Sequence, residues 1–266
     1  MTLFQYDSRI VERFPSIVGG VLVADGVRNG PSTSELAEAF EDEQREVLTR
    51  LGDTPLSEVP SLAAWRRAFR AFGVDPTAYR SAAEALLRRL TKQGSIPSIN
   101  TLVDIGNLVS IRYGLPVAVF DRGSITDGLT VRLATGDESF TDLGSGSTER
   151  AEPGEVVFVD GAGHVAARRW CWRQSAESSS SGSTTDILVT VEGHHADARR
   201  DVEAAIADIE PLLQSFAGAA TTTSCTVDAA SPIFGRHGRQ ESIDPDPKGP
   251  GSDLAGSGPS VDPGAP

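Results

Sequence analysis

In the middle of residues 96–121 apolar positions recur at helical spacing. Leu102, Val103, Ile105, Leu108, Val109 and Ile111 are interleaved with Asp104, Asn107 and Ser110, a pattern that predicts a buried amphipathic helix. Pro97 and Pro116 bracket it, and the short β-prone run Val117 to Phe120 then predicts a core strand, entered from a tight Gly114-Leu115-Pro116 turn. Upstream, residues 10–24 are dense in β-branched side chains. Gly19-Gly20 interrupts them, so this stretch reads as a strand with a bulge or a close backbone approach. Helices are predicted over 35–50 with Ser34 as cap, over 61–72 with Ser61 as cap, and from Asp75-Pro76-Thr77 to Gln93. From residue 123 the pattern changes to short strands at 129–134, 140–143, 156–159 and 165–173. A Ser/Thr loop over 176–185, a strand over 186–192 and a helix over 196–216 follow. The expected fold is α+β: a mixed, largely antiparallel sheet with flanking helices in one domain over residues 1–220. Thr, Ser, Gly, Pro and Asp then dominate, and residues 221–266 read as a low-complexity, disordered tail.

Charge narrows the function classes. Among 266 residues, 37 Asp and Glu outweigh 24 Lys and Arg, for a formal net charge of −13. Such a chain has no global attraction to nucleic acid or to an anionic membrane, so any RNA contact must be local. The basic residues are almost all arginine, Lys92 and Lys248 being the only lysines. Arg66, Arg67, Arg70, Arg80, Arg88, Arg89 and Lys92 concentrate on the second and third predicted helices. They read either as solvated faces paired with glutamates or as a landing site for phosphates. Two cysteines, Cys171 and Cys225, are too few for a disulfide framework or a zinc site. No apolar run approaches the roughly 20 residues of a membrane span, and the polar start is unlike a signal peptide, so a cytoplasmic protein without membrane partners is expected.

Familiar catalytic constellations are missing: the sequence has no phosphate-binding Walker loop and no nucleophile elbow. Glu192, His194 and His195 allow a metal reading, but adjacent histidines point in different directions, and a water-exposed pair at a helix start is expected instead, with no metal and no cofactor. The sharpest local signal is Arg168 to Ser175. As a strand it would put Arg168, Trp170, Trp172 and Gln174 on one face and Arg169 and Arg173 on the other. Tryptophans interleaved with guanidinium groups can stack a base, a ribose or an aromatic side chain while the arginines bind phosphate or carboxylate, so these six residues are expected to bind substrate. The bland alternative puts the tryptophans in the core and pairs the arginines with acidic helices. Asn100 and Asn107 pose a similar choice, because buried amides need partners: they cap and brace the helix or they line a pocket.

The run Val-Asp-Ile-Gly-Asn-Leu-Val at 103–109, Gly-Leu-Pro at 114–116 and Val-Phe-Asp at 119–121 resembles the Val-Asp-(Val/Ile)-Thr-Asn-Tyr-Val, Gly-Gln-Pro, Ala-Phe-Asp pattern of the B3/B4 domain. That domain belongs to the β subunit of phenylalanyl-tRNA synthetase, where it hydrolyses mischarged tyrosyl-tRNA. The stretches 65–76 and 168–175 resemble free-standing B3/B4 proteins more closely, and the similarity extends over about residues 10–220. The resemblance implies ester hydrolysis by a positioned water, tRNA or aminoacyl-tRNA with its amino-acid moiety as partner, and a catalytic role for Asn107. It departs from the family pattern at Gly106, Leu115 and Ala118, where threonine, glutamine and histidine are usual, which puts tyrosine specificity in doubt. A non-catalytic module that binds tRNA or an amino acid in the same pocket is the alternative.

Overall fold

The structure is a computed structural model and describes residues 2–235. Its elements, numbered in chain order, are β1 Thr2–Tyr6, α1 Ser8–Arg13, β2 Val18–Asp25, α2 Ser34–Leu51, α3 Pro60–Ala71, α4 Ala82–Gln93, α5 Thr101–Tyr113 and β3 Val117–Asp121. After these come β4 Leu129–Leu133, β5 Ser139–Thr141, β6 Thr148–Arg150, β7 Val156–Asp160, β8 Val165–Arg168, β9 Arg173–Gln174, β10 Asp186–Gly193, α6 Ala198–Phe216, β11 Thr221–Asp228 and β12 Ile233–Gly235. The class is α+β, as the pattern predicts.

A four-stranded antiparallel sheet in the order β11-β2-β10-β3 divides the interior. Because side chains alternate along a strand, β10 sends Ile187, Val189 and Val191 into one core, where they pack with Leu36, Leu90, Leu108 and Ile209 of the helices. Leu188 of the same strand enters a second core, shared with a six-stranded sheet, β12-β1-β4-β7-β8-β9, and with Trp65 and Phe69 of α3. In the six-stranded sheet only the β1–β4 pair is parallel. The order of layers is therefore α2, α4, α5 and α6, then the small sheet, then the large sheet, with α3 reaching into the core between the sheets and the functional cavity in the same seam.

Gly19 and Gly20 satisfy the expectation of close approach without a bulge, since β2 pairs with β10 and β11 in unbroken register. A Cβ on Gly20 would lie 2.5 Å from Ile206 Cγ1 of α6, so the helix can rest on this strand only at a glycine. Around α5, Asp104 is fully buried. Its carboxylate accepts from the Ser32 hydroxyl at 2.6 Å, the Ile99 amide at 2.9 Å and the Ser98 hydroxyl, and so ties the loops before α2 and α5 together. Asn100 is the N-cap, accepting from Val103 N at 3.0 Å. At the other end Gly114 adopts a left-handed conformation and Ser110 donates to the Leu115 carbonyl at 2.7 Å, which turns the chain into β3.

Several sequence expectations are corrected. The α2 cap is Thr33, not Ser34, and α4 starts at Ala82 with Ser81 as cap, because residues 75–80 form a turn closed by Asp75. The expected strand 165–173 is broken, since Arg169 and Trp170 have φ of 44° and 62° and the chain reverses there into β9. The domain also extends past residue 220. β11 pairs with β2 along its whole length although half of its residues are exposed, so backbone hydrogen bonds and threonine's β preference hold it where composition suggested a tail. The remainder of the expected tail, 236–266, lies outside the described residues. Among the described residues, no helix is long and apolar enough to cross a membrane.

Removing the Asp104 carboxylate takes a buried acceptor from three partly buried hydrogen bonds. Asp104→Ala should therefore destabilise the fold by about 2–4 kcal/mol, read as a lower urea midpoint at an unchanged slope. A loss under about 0.5 kcal/mol would show that water replaces the carboxylate without cost.

Candidate functional site

On the face of β10 that carries Leu188, the next two residues in register are Thr190 and Glu192, both buried. Glu192 is only 2% exposed and has no cation within salt-bridge distance among the described residues. Its Oε1 instead accepts from the Tyr6 hydroxyl at 2.7 Å and from the Trp170 indole N–H at 3.1 Å. Burial pushes the carboxyl up to about 7, against the two hydrogen bonds, which favour the ionised form. The same surroundings raise the Tyr6 phenol, through burial first and then the neighbouring Glu192 charge, and raise the Cys171 thiol for the same two reasons. Tyr6 can reach the carboxylate because Gly19 stands opposite Glu192 in the β2–β10 register. A Cβ at Gly19 would fall 2.3 Å from the phenolic oxygen.

Beside Glu192 is a cavity of about 70 Å³, walled by Phe120, Phe158 and Ala167 and bordered by Thr190, Arg173 and Gln174. This volume holds on the order of five water-sized groups, the scale of an amino-acid side chain and not of a nucleotide. Gln174 donates its amide to the carbonyls of Val119 at 2.9 Å and Ser178 at 3.0 Å, which turns its Oε1 into an available acceptor. The Arg173 side chain is about half exposed, stacks on Trp172 at 4.6 Å and pairs with Asp142, whose carboxyl it holds well below the usual range.

The turn that aims Trp170 at Glu192 is strained, because two successive bulky residues occupy the left-handed region. Ion pairs of two buried arginines hold it. Arg168 makes a bidentate pair with Glu155, 3.1 Å on each arm, and reaches Glu149 at 2.8 Å. Arg169 bonds Glu152 at 3.0 Å while its guanidinium lies 4.1 Å over Tyr79 and 4.9 Å over Trp172. The Trp170 amide donates to the Val156 carbonyl at 2.6 Å, and its ring is packed by Trp65, Phe14 and His194.

Of the residues expected to bind substrate, Trp170, Trp172, Arg173 and Gln174 line the cavity. Arg168 and Arg169 do not; both are buried, and their guanidinium groups are committed to glutamates, so the expectation of phosphate-binding arginines here is corrected. Asn100 is a helix cap. Asn107, expected to be catalytic, is half-buried on α5, whose apolar side packs on the opposite face of the small sheet, and it does not line the cavity. The histidine pair is not water-exposed. His194 sits 4.6 Å from Trp65 and 5.0 Å from Trp170, and burial, then His195 and Arg67, lower it to about 3, while His195 contacts Asp201 at 2.8 Å. Among the described residues, no group of three or more His, Cys, Asp or Glu is placed to hold a metal. Sequence reading missed Glu192 as the central group, together with Tyr6 and Thr190. The available signal was the two polar residues at alternate positions in an otherwise apolar strand.

Part of this chain is similar to phenylalanine–tRNA ligase beta subunits. The phenylalanine–tRNA ligase beta subunit of Zymomonas mobilis is 35% identical over 107 residues, 40% of this chain and 13% of the relative. That of Syntrophotalea carbinolica is 30% identical over 149 residues, 56% of this chain and 17% of the relative, so the chain spans less than a fifth of the length of either. Among solved structures, an N-terminal fragment of the phenylalanyl-tRNA synthetase beta subunit from Pyrococcus horikoshii aligns with 80% of this chain and 48% of that one, at 12% identity and a TM-score of 0.42. Residues 64–206, which carry every wall of the cavity, match the B3/4 domain as a family, and to that family this chain belongs.

Proposed function

We propose that this chain is an editing-type deacylase that hydrolyses the ester of mischarged aminoacyl-tRNA in trans, in the cytoplasm. Membership of a family found in phenylalanine–tRNA ligase beta subunits supports the substrate class. The observation that carries the chemistry is Glu192, a carboxyl with a pKa of about 7 at the wall of a small, largely apolar cavity. A group with that affinity for protons is matched to general-base work at neutral pH.

In this reading the amino-acid side chain enters the cavity and the Gln174 Oε1 accepts from its ammonium group. Tyr6 and Trp170 fix one Glu192 oxygen, and the other takes a proton from a water as the water oxygen attacks the ester carbonyl. Arg173 at the mouth stabilises the negative charge that develops on the carbonyl oxygen. The tetrahedral intermediate then collapses with cleavage of the bond to the ribose oxygen. That oxygen receives the proton from Glu192, releasing free amino acid and tRNA. The second reading, a module that binds aminoacyl-tRNA without cleaving it, is favoured by one observation: Asn107 does not border the cavity.

Purified protein should accelerate deacylation of at least one member of a panel of aminoacyl-tRNAs. Glu192→Gln keeps an acceptor for Tyr6 and Trp170 and should lower kcat by about 10²–10³ with little change in KM. The wild-type rate should rise with pH through about 7, and the variant should lose that limb. No acceleration with any substrate, alongside stable capture of intact aminoacyl-tRNA, would establish the binding reading.

Folding stability provides an independent check. The folded carboxyl titrates near 7 and an ordinary one at 4.5, so between these values the folded state binds more protons than the unfolded chain. Its contribution is therefore fully present below pH 4.5, declines as pH rises and is lost above pH 7, by on the order of 3 kcal/mol. Denaturant midpoints should fall across this window for the wild type more steeply than for Glu192→Gln. Parallel curves would mean that Glu192 titrates normally.

A further inference from the structure

Arg168 and Arg169 are buried against glutamates, so an acidic protein that handles tRNA must grip its phosphates somewhere else. The geometry points to the groove between the loop 52–57 and the outer side of α4 as the binding site for the phosphodiester backbone of that RNA. The identity of the RNA as tRNA rests on the proposed function; the site itself does not.

The groove encloses about 430 Å³ and is lined by Arg66, Arg80, Arg88 and Lys92, against two carboxylates, Asp53 and Glu84. A local excess of two positive charges on a chain of net −13 is a reversal of sign, and one such stretch suffices to orient an approaching polyanion. Glu84 is a buried anchor and not a competitor for the ligand. It holds Arg66 at 2.6 Å, with Arg80 at 3.9 Å, so two guanidinium groups are fixed before any ligand arrives.

Arg88 and Lys92 are exposed and make no ion pair among the described residues. They lie one helical turn apart, about 6 Å along the axis, where like charges repel unless an anion sits between them. Ser57 and Thr91 add hydroxyls to the same wall. The groove also adjoins the cavity. Arg80 and Glu84 line the groove while Ala82 lines the cavity, and the Ala82 amide donates to the Cys171 carbonyl at 2.8 Å. The first turn of α4 thus separates the two, so an RNA strand held in the groove runs close to the cavity.

Binding of dye-labelled uncharged tRNA is measured by fluorescence anisotropy over a series of salt concentrations. Because each contacted phosphate contributes about 0.7–0.9 to the slope of log affinity against log salt, Arg88→Ala with Lys92→Ala should reduce that slope by roughly 1.5. Affinity at low salt should fall at least about tenfold. Both side chains are exposed, so the fold should be kept. Hydrolysis of a 3′-O-aminoacyl adenosine, which has no phosphate, should be unchanged in the same variant. The control is Arg9→Ala with Arg150→Ala, an equal loss of charge at exposed positions outside the groove, which should leave the slope as in the wild type.

An unchanged slope in the groove variant overturns the assignment, as does an equal loss in the control, which would trace binding to net charge. Competition by poly-glutamate as effective as that by RNA also overturns it, in favour of an acidic polypeptide partner. Failure of the deacylase reading looks different: tRNA binding depends on the groove, yet no ester is cleaved by any variant or by the wild type.

Discussion

A buried carboxylate with no cation beside it among the described residues constrains nearly everything around it. Glu192 needs donors, and the two it has come from distant parts of the chain, Tyr6 on the first strand and Trp170 on the turn between β8 and β9. Bringing Tyr6 into reach demands that the residue opposite Glu192 have no side chain, which Gly19 meets. Bringing Trp170 into reach demands a reversal that ordinary strand geometry does not allow. The two sheets are thus joined at the cavity through polar contacts as well as through the packing of Phe4, Phe120 and Phe158.

The reversal at Arg169 and Trp170 explains why so much charge is spent in the interior. Left-handed backbone at two bulky residues costs on the order of 1–3 kcal/mol each and persists only where the surroundings over-determine it. Arg168 and Arg169 do this by clamping the turn to Glu149, Glu152 and Glu155, with stacking on Tyr79 and Trp172. Truncating one partner of such a pair leaves an unpaired buried charge, which is more disruptive than removing both. These arginines act as scaffold for the site without touching what occupies it.

Elements with one strong local cause were legible in the amino-acid pattern. Helical spacing and flanking prolines define α5, and alternation with turn residues defines β4, β7 and β10. Legibility ended where tertiary contacts decide. Nothing local announces two left-handed residues at 169 and 170, so a continuous strand was the natural reading, and with it the wrong faces for Arg168 and Arg169. β11 is recruited by the free edge of β2, which its threonines suit but cannot announce on their own. For the site, the segment 170–174 was recognisable because tryptophan and arginine in alternation are conspicuous. Glu192 was not, because a single glutamate becomes exceptional only through the burial and partners that folding supplies. Asn107 drew attention through its polarity in an apolar helix, yet the neighbouring Asp104 is the buried residue with three hydrogen bonds.

The span recognised as the family, 64–206, does not coincide with the unit that folds around Glu192. Tyr6 and Gly19 precede it and β11 follows it, so a fragment cut at those limits would keep every residue lining the cavity and lose one of the two donors to the carboxylate. In such a fragment β10 would keep β3 and lose β2, becoming a sheet edge open to pairing with another chain. The limits within which sequence similarity is detectable are therefore poor guides for excising or transplanting this domain. A graft that preserves the chemistry must begin before Tyr6 and continue through β11.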